Sequence, residues 1–237
     1  LYWHSESKGK DKNYHIKKTM TCKDVGIKLI HIFEDEWQNK RNIVKSKLIN
    51  MITNNTNKYY ARKCMITSLT SLEKKLFLDN NHIQGNDKSS ICYGLKYKNE
   101  IIAVMSFSKS RYNFNFEYEL VRYATLLNST VVGGASKLLK YFIKKHEPTT
   151  IISYADLRWT TTNNLYDKLG FVLSHTSQPN YYYFKGLYRE SRLKYQKHKL
   201  KNILSTYNDS LSESENMKLA GYEKIWDCGN LVYSLHL

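Results

Sequence analysis

Val131-Val132-Gly133-Gly134-Ala135-Ser136-Lys137-Leu138-Leu139-Lys140-Tyr141-Phe142 joins an apolar strand end to two glycines and then to an amphipathic helix. Ala135, Leu138, Leu139 and Phe142 recur at i, i+3, i+4 and i+7, so they form one buried stripe, while Lys137, Lys140 and Lys144 fall off it toward solvent. Glycines at such a junction allow a tight turn and let the unpaired N–H groups of the first helical turn point outward, where a phosphate or another anion can sit. Two adjacent glycines without a P-loop pattern are more often needed only for the turn and for close packing. Beyond the helix, Pro148 stops it and Thr149-Thr150-Ile151-Ile152-Ser153-Tyr154-Ala155 reads as a strand. Thr161, Thr162 and Asn163 offer N-caps before Leu165-Tyr166-Asp167-Lys168-Leu169, and Gly170 stands where a C-cap glycine belongs, before Phe171-Val172-Leu173. The order is strand, Gly-Gly turn, helix, strand, short helix, strand.

From about Leu95 to Phe184 these residues resemble the GNAT acyltransferase superfamily. In that family a G-x-A/G turn like Gly133-Gly134-Ala135 holds the pyrophosphate of coenzyme A. The resemblance therefore implies Val132, Gly133, Gly134, Ala135 and Ser136 as cofactor contacts and acetyl-CoA or a related acyl-CoA as donor. A segment like Leu165-Tyr166-Asp167-Lys168-Leu169-Gly170-Phe171 carries a tyrosine there that can protonate the leaving thiolate, which makes Tyr166 the implied catalytic acid; a core tyrosine on a helix face is the alternative. Thr130 stands where the family has Arg or Gln, and the family's Asn-x-x-Ala is absent.

The chain's 237 residues can hold one large or two small domains, and 41% hydrophobic content suffices for a core. Twenty Tyr against ten Gly and two Pro argue against disorder. A net charge of +16 favours a polyanionic partner, DNA first; a merely solvating Lys-rich surface explains it equally well. Cys22, Cys64, Cys92 and Cys228 are far apart with no C-x-x-C pair, so reduced thiols in a cytoplasmic compartment are expected, with neither a disulfide-linked partner nor a zinc site. No apolar run approaches a membrane span and no signal peptide is visible. The start at Leu1 suggests a missing upstream segment.

Leu1-Tyr2-Trp3-His4-Ser5-Glu6 reads as a strand end, residues 14–22 as a helix, Ile27 to Phe33 as a buried strand and residues 40–51 as a basic helix. "LYWHSE", "YHxxKT" and "GIKLIHIFEDEW" resemble the C-terminal half of a Vsr-type endonuclease fold, as in phage homing endonucleases of the Hef type. That resemblance implies Trp3 as an aromatic wedge in the DNA stack and His4 as a catalytic histidine; Glu6 could add a carboxylate to a Mg²⁺ site. The family's metal-binding acids lie on strands upstream of Leu1. Glu34, Asp35 and Glu36 at a helix start serve as N-terminal charge and caps more often than as ligands; His15 and His31 are ambiguous in the same way, and a histidine placed like His31, between Ile30 and Ile32, is more often structural.

The polar, aperiodic residues 53–60 read as a linker, followed by a strand at 63–67 and a Ser-capped helix at 71–78. His82 and Gln84 in the next turn are candidates for substrate contact, with turn stabilisation as the commoner role. Residues 91–97 and 101–107 form a hairpin, and Glu119 with Arg122 reads either as an acid/base and an anion contact or as a cross-strand ion pair. Between Lys185 and Lys201, seven Lys or Arg face one Glu, with Tyr188 and Tyr195 interleaved. Arg189, Arg192, Lys194, Lys197, Lys199 and Lys201 are therefore the candidate nucleic-acid patch, a solvated basic helix being the alternative.

The chain is thus expected to be α/β (α+β): a truncated Vsr-like endonuclease fragment over 1–52, a linker over 53–60 and a GNAT-like mixed-sheet domain over 61–237. The function expected first is that of a DNA-binding phage-type homing endonuclease with metal-dependent phosphodiester hydrolysis in the intact protein. The alternative is a GNAT-like acyl or group transferase acting on a nucleobase, amine or protein, and a catalytically silent DNA-binding module is a third.

Overall fold

A computed structural model describes residues 1–53, 57–161 and 163–237. The strands are β1 (Asn57–Tyr60), β2 (Met65–Ser68), β3 (Ile91–Tyr97), β4 (Glu100–Lys109), β5 (Tyr118–Thr125), β6 (Ser129–Val132), β7 (Thr150–Asp156), β8 (Val172–Thr176), β9 (Tyr181–Lys185), β10 (Tyr188–Ser191), β11 (Glu223–Trp226) and β12 (Asn230–His236). The α-helices are α1 (Tyr14–Asp24), α2 (Glu34–Asn39), α3 (Arg41–Ile52), α4 (Ser71–Asn81), α5 (Gly134–His146), α6 (Leu165–Lys168), α7 (Lys197–Leu200) and α8 (Glu213–Leu219). They divide into two compact units. One comprises Leu1–Asn39, Asp156–Thr161 and Thr176–Asn230; the other comprises Lys40–Ala155, Thr162–His175 and Leu231–Leu237.

The second unit is built on a seven-stranded mixed sheet in the order β2-β3-β4-β5-β7-β12-β8. Alternation along β3, β4 and β5 gives this sheet two apolar faces. On one, Phe77 and Leu78 of α4 pack against Cys92, Val104 and Ala124. On the other, Phe142 of α5 stacks on Phe107 with ring centroids 3.7 Å apart and meets the Tyr118 ring edge-on at 5.2 Å. The i, i+3, i+4, i+7 stripe of α5 is buried as its periodicity requires. Thr70, not Ser71, caps α4, in a box with Glu73.

The first unit holds the antiparallel sheet β10-β9-β11. Leu1 and Phe33 share one apolar cluster with Phe184 and Ile225. This corrects the expected fragment over 1–52: the first 39 residues complete their core with residues from 176–230, and residues 40–52 belong to the other unit. Tyr2–His4 is a 3-10 turn and residues 27–33 form no strand. The His31 amide donates to the Arg158 carbonyl, so alternation in that stretch reflects packing rather than a ladder. The expected linker contains β1, which pairs in parallel with β6; residues 54–56 lie outside the described residues.

Arg158, Arg189, Asp35, Glu36 and Asp156 form one charged network in this unit. Arg158, only 2% exposed, donates from Nη1 to both Glu36 oxygens (2.9 and 3.0 Å) and from Nη2 to Asp156 at 2.6 Å. Arg189 donates to Glu36 at 3.0 Å and Asp35 at 3.2 Å. Both guanidinium groups lie over the Phe33 ring, at 4.4 and 3.8 Å. Glu36 is thus a buried counter-ion, a role for which the run Glu34-Asp35-Glu36 gives no local signal.

Candidate active site

The second unit's sheet opens where β5 leaves β7. Their parallel pairing runs over Tyr118↔Ile151, Glu119↔Ile152 and Leu120↔Ser153, and both strands continue past the last pair. At the same point β5 is bulged against β4: Leu120 pairs with Phe107 and Arg122 with Ser106, leaving Val121 unmatched. A bulge adds local twist and re-aims the side chains beyond it, which suits a strand that must diverge from its neighbour. Leu120 stays on the α5 side with Phe107, while Arg122 moves to the α4 side beside Ser106.

Tyr166 enters this opening from α6. Asn164 caps that single turn, accepting from the Tyr166 N–H at 2.8 Å while its own N–H donates to Asp167 at 2.7 Å. The N-cap is therefore Asn164 and neither Thr161 nor Asn163; Thr162 lies outside the described residues. The Phe171 N–H closes the turn on the Tyr166 carbonyl, and the Tyr166 ring stacks on Tyr233 with centroids 5.1 Å apart. Burial pushes the Tyr166 phenol up, a hydrogen bond with Ser153 works against that shift, and Arg122 and Glu119 are its charged neighbours. Ser153 in turn donates to the Leu120 carbonyl at 2.8 Å. Tyr166, Ser153, Glu119 and Arg122 thus gather around the end of the β5/β7 pairing.

The glycine turn lies between β6 and α5. Gly133 has φ +74°, where a side chain costs about 1–2 kcal/mol. A Cβ on Gly134 would lie 2.8 Å from Val131 Cγ1 and 2.9 Å from the Tyr123 hydroxyl. Gly134→Ala should therefore cost about 1–3 kcal/mol, read as a lower urea midpoint at unchanged m-value. Both glycines have internal reasons, so the test for a pyrophosphate is what the turn leaves open. The N-cap residue, Gly133, gives the 13-residue helix no side-chain cap, and of the first N–H groups Ala135 gives its own to the Tyr123 hydroxyl. Lys137 donates to the carbonyls of Ala61 (2.9 Å) and Cys64 (2.6 Å), pinning the segment that carries the exposed Arg62 and Lys63 beside the turn. Lys58 is the register partner of Thr130. An uncapped helix start flanked by cations fits a pyrophosphate, with charge supplied by β1 and the turn after it rather than by residue 130.

On the α4 side, Asp87 accepts from Ser106 (2.7 Å), the Ser89 N–H (2.6 Å) and Lys74 (3.3 Å). These bonds hold its carboxyl below the ordinary range against the opposing effect of burial. His82 accepts the Gln84 N–H at Nδ1 (3.2 Å), and burial, with Arg122 and Lys47 nearby, drives its pKa well down. It is a neutral donor through Nε2, and it lines a 230 Å³ cavity with Lys47, Asn81, Tyr123 and Thr125. Glu119 does not pair with Arg122; Arg111 holds it bidentately at 2.6 and 3.1 Å. Burial raises the thiols of Cys64, of Cys92 to about 12 and of Cys228 to about 11, so none of these three is poised as a nucleophile.

The expected nuclease residues are not assembled into a metal site. Glu6 accepts from Trp226 Nε1 at 3.0 Å and pairs with Lys224 at 3.4 Å, and among the described residues no group of three or more His, Cys, Asp or Glu could hold a metal ion. His4 bonds His15 through Nδ1 at 3.0 Å. Burial lowers His15 and His31 from 6.5 to about 4. The unfolded chain then binds more protons than the fold between these values, so stability should fall as pH drops from 6.5 toward 4 and level off below; urea midpoints across that window check it. Trp3 is 73% exposed. In the basic stretch, Arg189 is consumed by the buried ion network, Arg192 lies over Tyr181, Lys194 pairs with Glu190, and Lys197 and Lys199 donate to the carbonyls of Asp209 and Leu193. Lys201 is exposed. The stretch is a strand, a 3-10 turn and a one-turn helix rather than one basic helix. Among the described residues no helix is long and apolar enough to cross a membrane.

No known family profile and no curated protein matches the sequence. Among solved structures the chain is similar to a GNAT family acetyltransferase from Elizabethkingia anophelis with acetyl-CoA bound, at 17% identity and TM-score 0.41, covering 74% of this chain and 99% of that one. It is also similar to a Bacillus subtilis acetyltransferase in complex with CoA, at 15% identity and TM-score 0.41 with the same coverages. A third is a histone acetyltransferase HPA2-related acetyltransferase from Corynebacterium glutamicum, at 15% identity and TM-score 0.39, covering 48% of this chain and 88% of that one. These are acetyltransferases, not nucleases, and the homing-endonuclease expectation, with its Mg²⁺ site, is corrected accordingly. The chain is mixed α/β with a large mixed sheet.

Proposed function

We propose that the second unit is an acyltransferase that takes its acyl group from an acyl-CoA and passes it to an amine. The observation that carries this is the placement of the Tyr166 phenol at the point where β5 and β7 part, with the uncapped α5 start in the same unit. Charge supports it. This unit carries 20 Lys and Arg against 8 Asp and Glu, whereas the other carries 17 against 13, so the cationic surplus lies with the unit that would receive a phosphate-rich donor. Bound there, an acyl-CoA would supply the thioester carbonyl and a thiolate leaving group. The N–H groups of Gly134 and Ser136, with Arg62 and Lys63, would hold its phosphates. Tyr166 keeps its proton at neutral pH because burial raises its pKa, and Ser153 orients the phenol so that Oη can protonate the departing sulfur. Glu119, fixed by Arg111, is placed to take the amine's proton through a bridging water.

Calorimetric titration with acetyl-CoA tests this proposal. Saturable binding in about the micromolar range, weakened by Arg62→Glu with Lys63→Glu, is expected. Absence of binding at about millimolar ligand contradicts it.

A further inference from the structure

Among the described residues of the opening, Arg122 is a cation that the fold leaves incompletely bonded. Its Nη1 donates to the Val121 carbonyl at 2.8 Å, the carbonyl of the unmatched bulge residue, while its buried Nε has no acceptor. Burial lowers its pKa, the mark of a guanidinium short of counter-charge. Both neighbouring carboxylates are already used. Glu119 takes two bonds from Arg111, and Asp87 takes Lys74, Ser89 and Ser106. With His82 neutral, Arg111, Arg122 and Lys74 face Glu119 and Asp87, leaving one positive charge in excess. A buried, unpaired charge is costly enough that folds pair it or reserve it for a ligand. A guanidinium with an unpaired Nε–H has a donor to spare for a carboxylate oxygen.

We infer that the amine acylated by this unit also carries a carboxylate, and that Arg122 binds that carboxylate, holding the amine near Tyr166 and Glu119. This assignment rests on the acyltransferase reading and names its substrate class, a small amino acid-like acceptor. The alternative for Arg122, a purely structural tie to the bulge, would use Nη1 alone and gives no account of the unpaired Nε.

The test compares the twenty common L-amino acids with their α-carboxamides as acceptors, using acetyl-CoA and thiol release. Acetyl-CoA binding is measured separately, so failure of the donor reading shows there first. Expected is turnover of at least one acid with kcat/KM about tenfold or more above its amide, and an about 100-fold loss for that acid in Arg122→Gln, carried by KM, with the amide little changed. Arg122→Lys should recover part of the loss, and unchanged urea midpoints separate binding from folding. Equal use of acid and amide by the unsubstituted protein overturns the inference. So does an equal loss on both in Arg122→Gln, or bound acetyl-CoA with no acid turned over.

Discussion

Tyr166→Phe is expected to lower kcat for acyl transfer by about 100-fold or more while leaving acetyl-CoA affinity within about twofold, because the substitution removes one proton donor and nothing else. The ring keeps its stack on Tyr233 and its edge contact with Phe171, so the fold should be unaffected. What is lost is a phenol that burial keeps protonated beyond the ordinary tyrosine range, beside the last registered pair of β5 and β7. In the unsubstituted protein, loss of activity from deprotonation of this acid should therefore come at higher pH than for an ordinary tyrosine. Thiol release under saturating acetyl-CoA checks both points. A kcat unchanged in the variant would make Tyr166 a core tyrosine.

Arg158→Met should destabilise the first unit by about 3–5 kcal/mol, read as a fall in the urea midpoint. The methionine fills much of the arginine's volume but leaves Asp156 without its ion pair and Glu36, itself buried, with Arg189 alone. The cost is that of stranding carboxylates whose partner has gone, not the net worth of the pairs. Replacing Arg158 and Glu36 together, with Met and Gln, should cost less than Arg158→Met alone, since one stranded charge is then removed. A single-variant loss below about 1 kcal/mol would mean that Glu36 is hydrated and not held as a counter-ion.

Local patterns were legible where one element decides them. The α5 stripe, the hairpin of β3 and β4, and the strand–turn–helix–strand order around Gly133 follow from periodicity and turn chemistry, and the structure reproduces them. Tyr166 was legible as a candidate because its motif is local. Its neighbours were not: Ser153, Arg111 and Asp87 reach the site through strand register and a bulge that sequence spacing does not encode. The stretch holding β10 offered only a basic patch or a solvated helix, because its charges hid a four-residue strand paired to β9. The two-module division failed for a related reason. Phe33 and Ile225 are nearly two hundred residues apart yet share one cluster, and hydrophobic pattern specifies burial without specifying the partner. Of the two readings of Glu119 with Arg122, the cross-strand ion pair is not formed; each answers to a different group.

Backbone hydrogen exchange of the full chain with and without saturating acetyl-CoA tests the central claim most directly. Slowed exchange at Gly134 to Lys137 and along residues 121–124 and 153–155, with the antiparallel sheet β10-β9-β11 unchanged, is predicted. Protection confined to other segments, or none at saturation, would contradict an acyl-CoA held between the glycine turn and the parting strands.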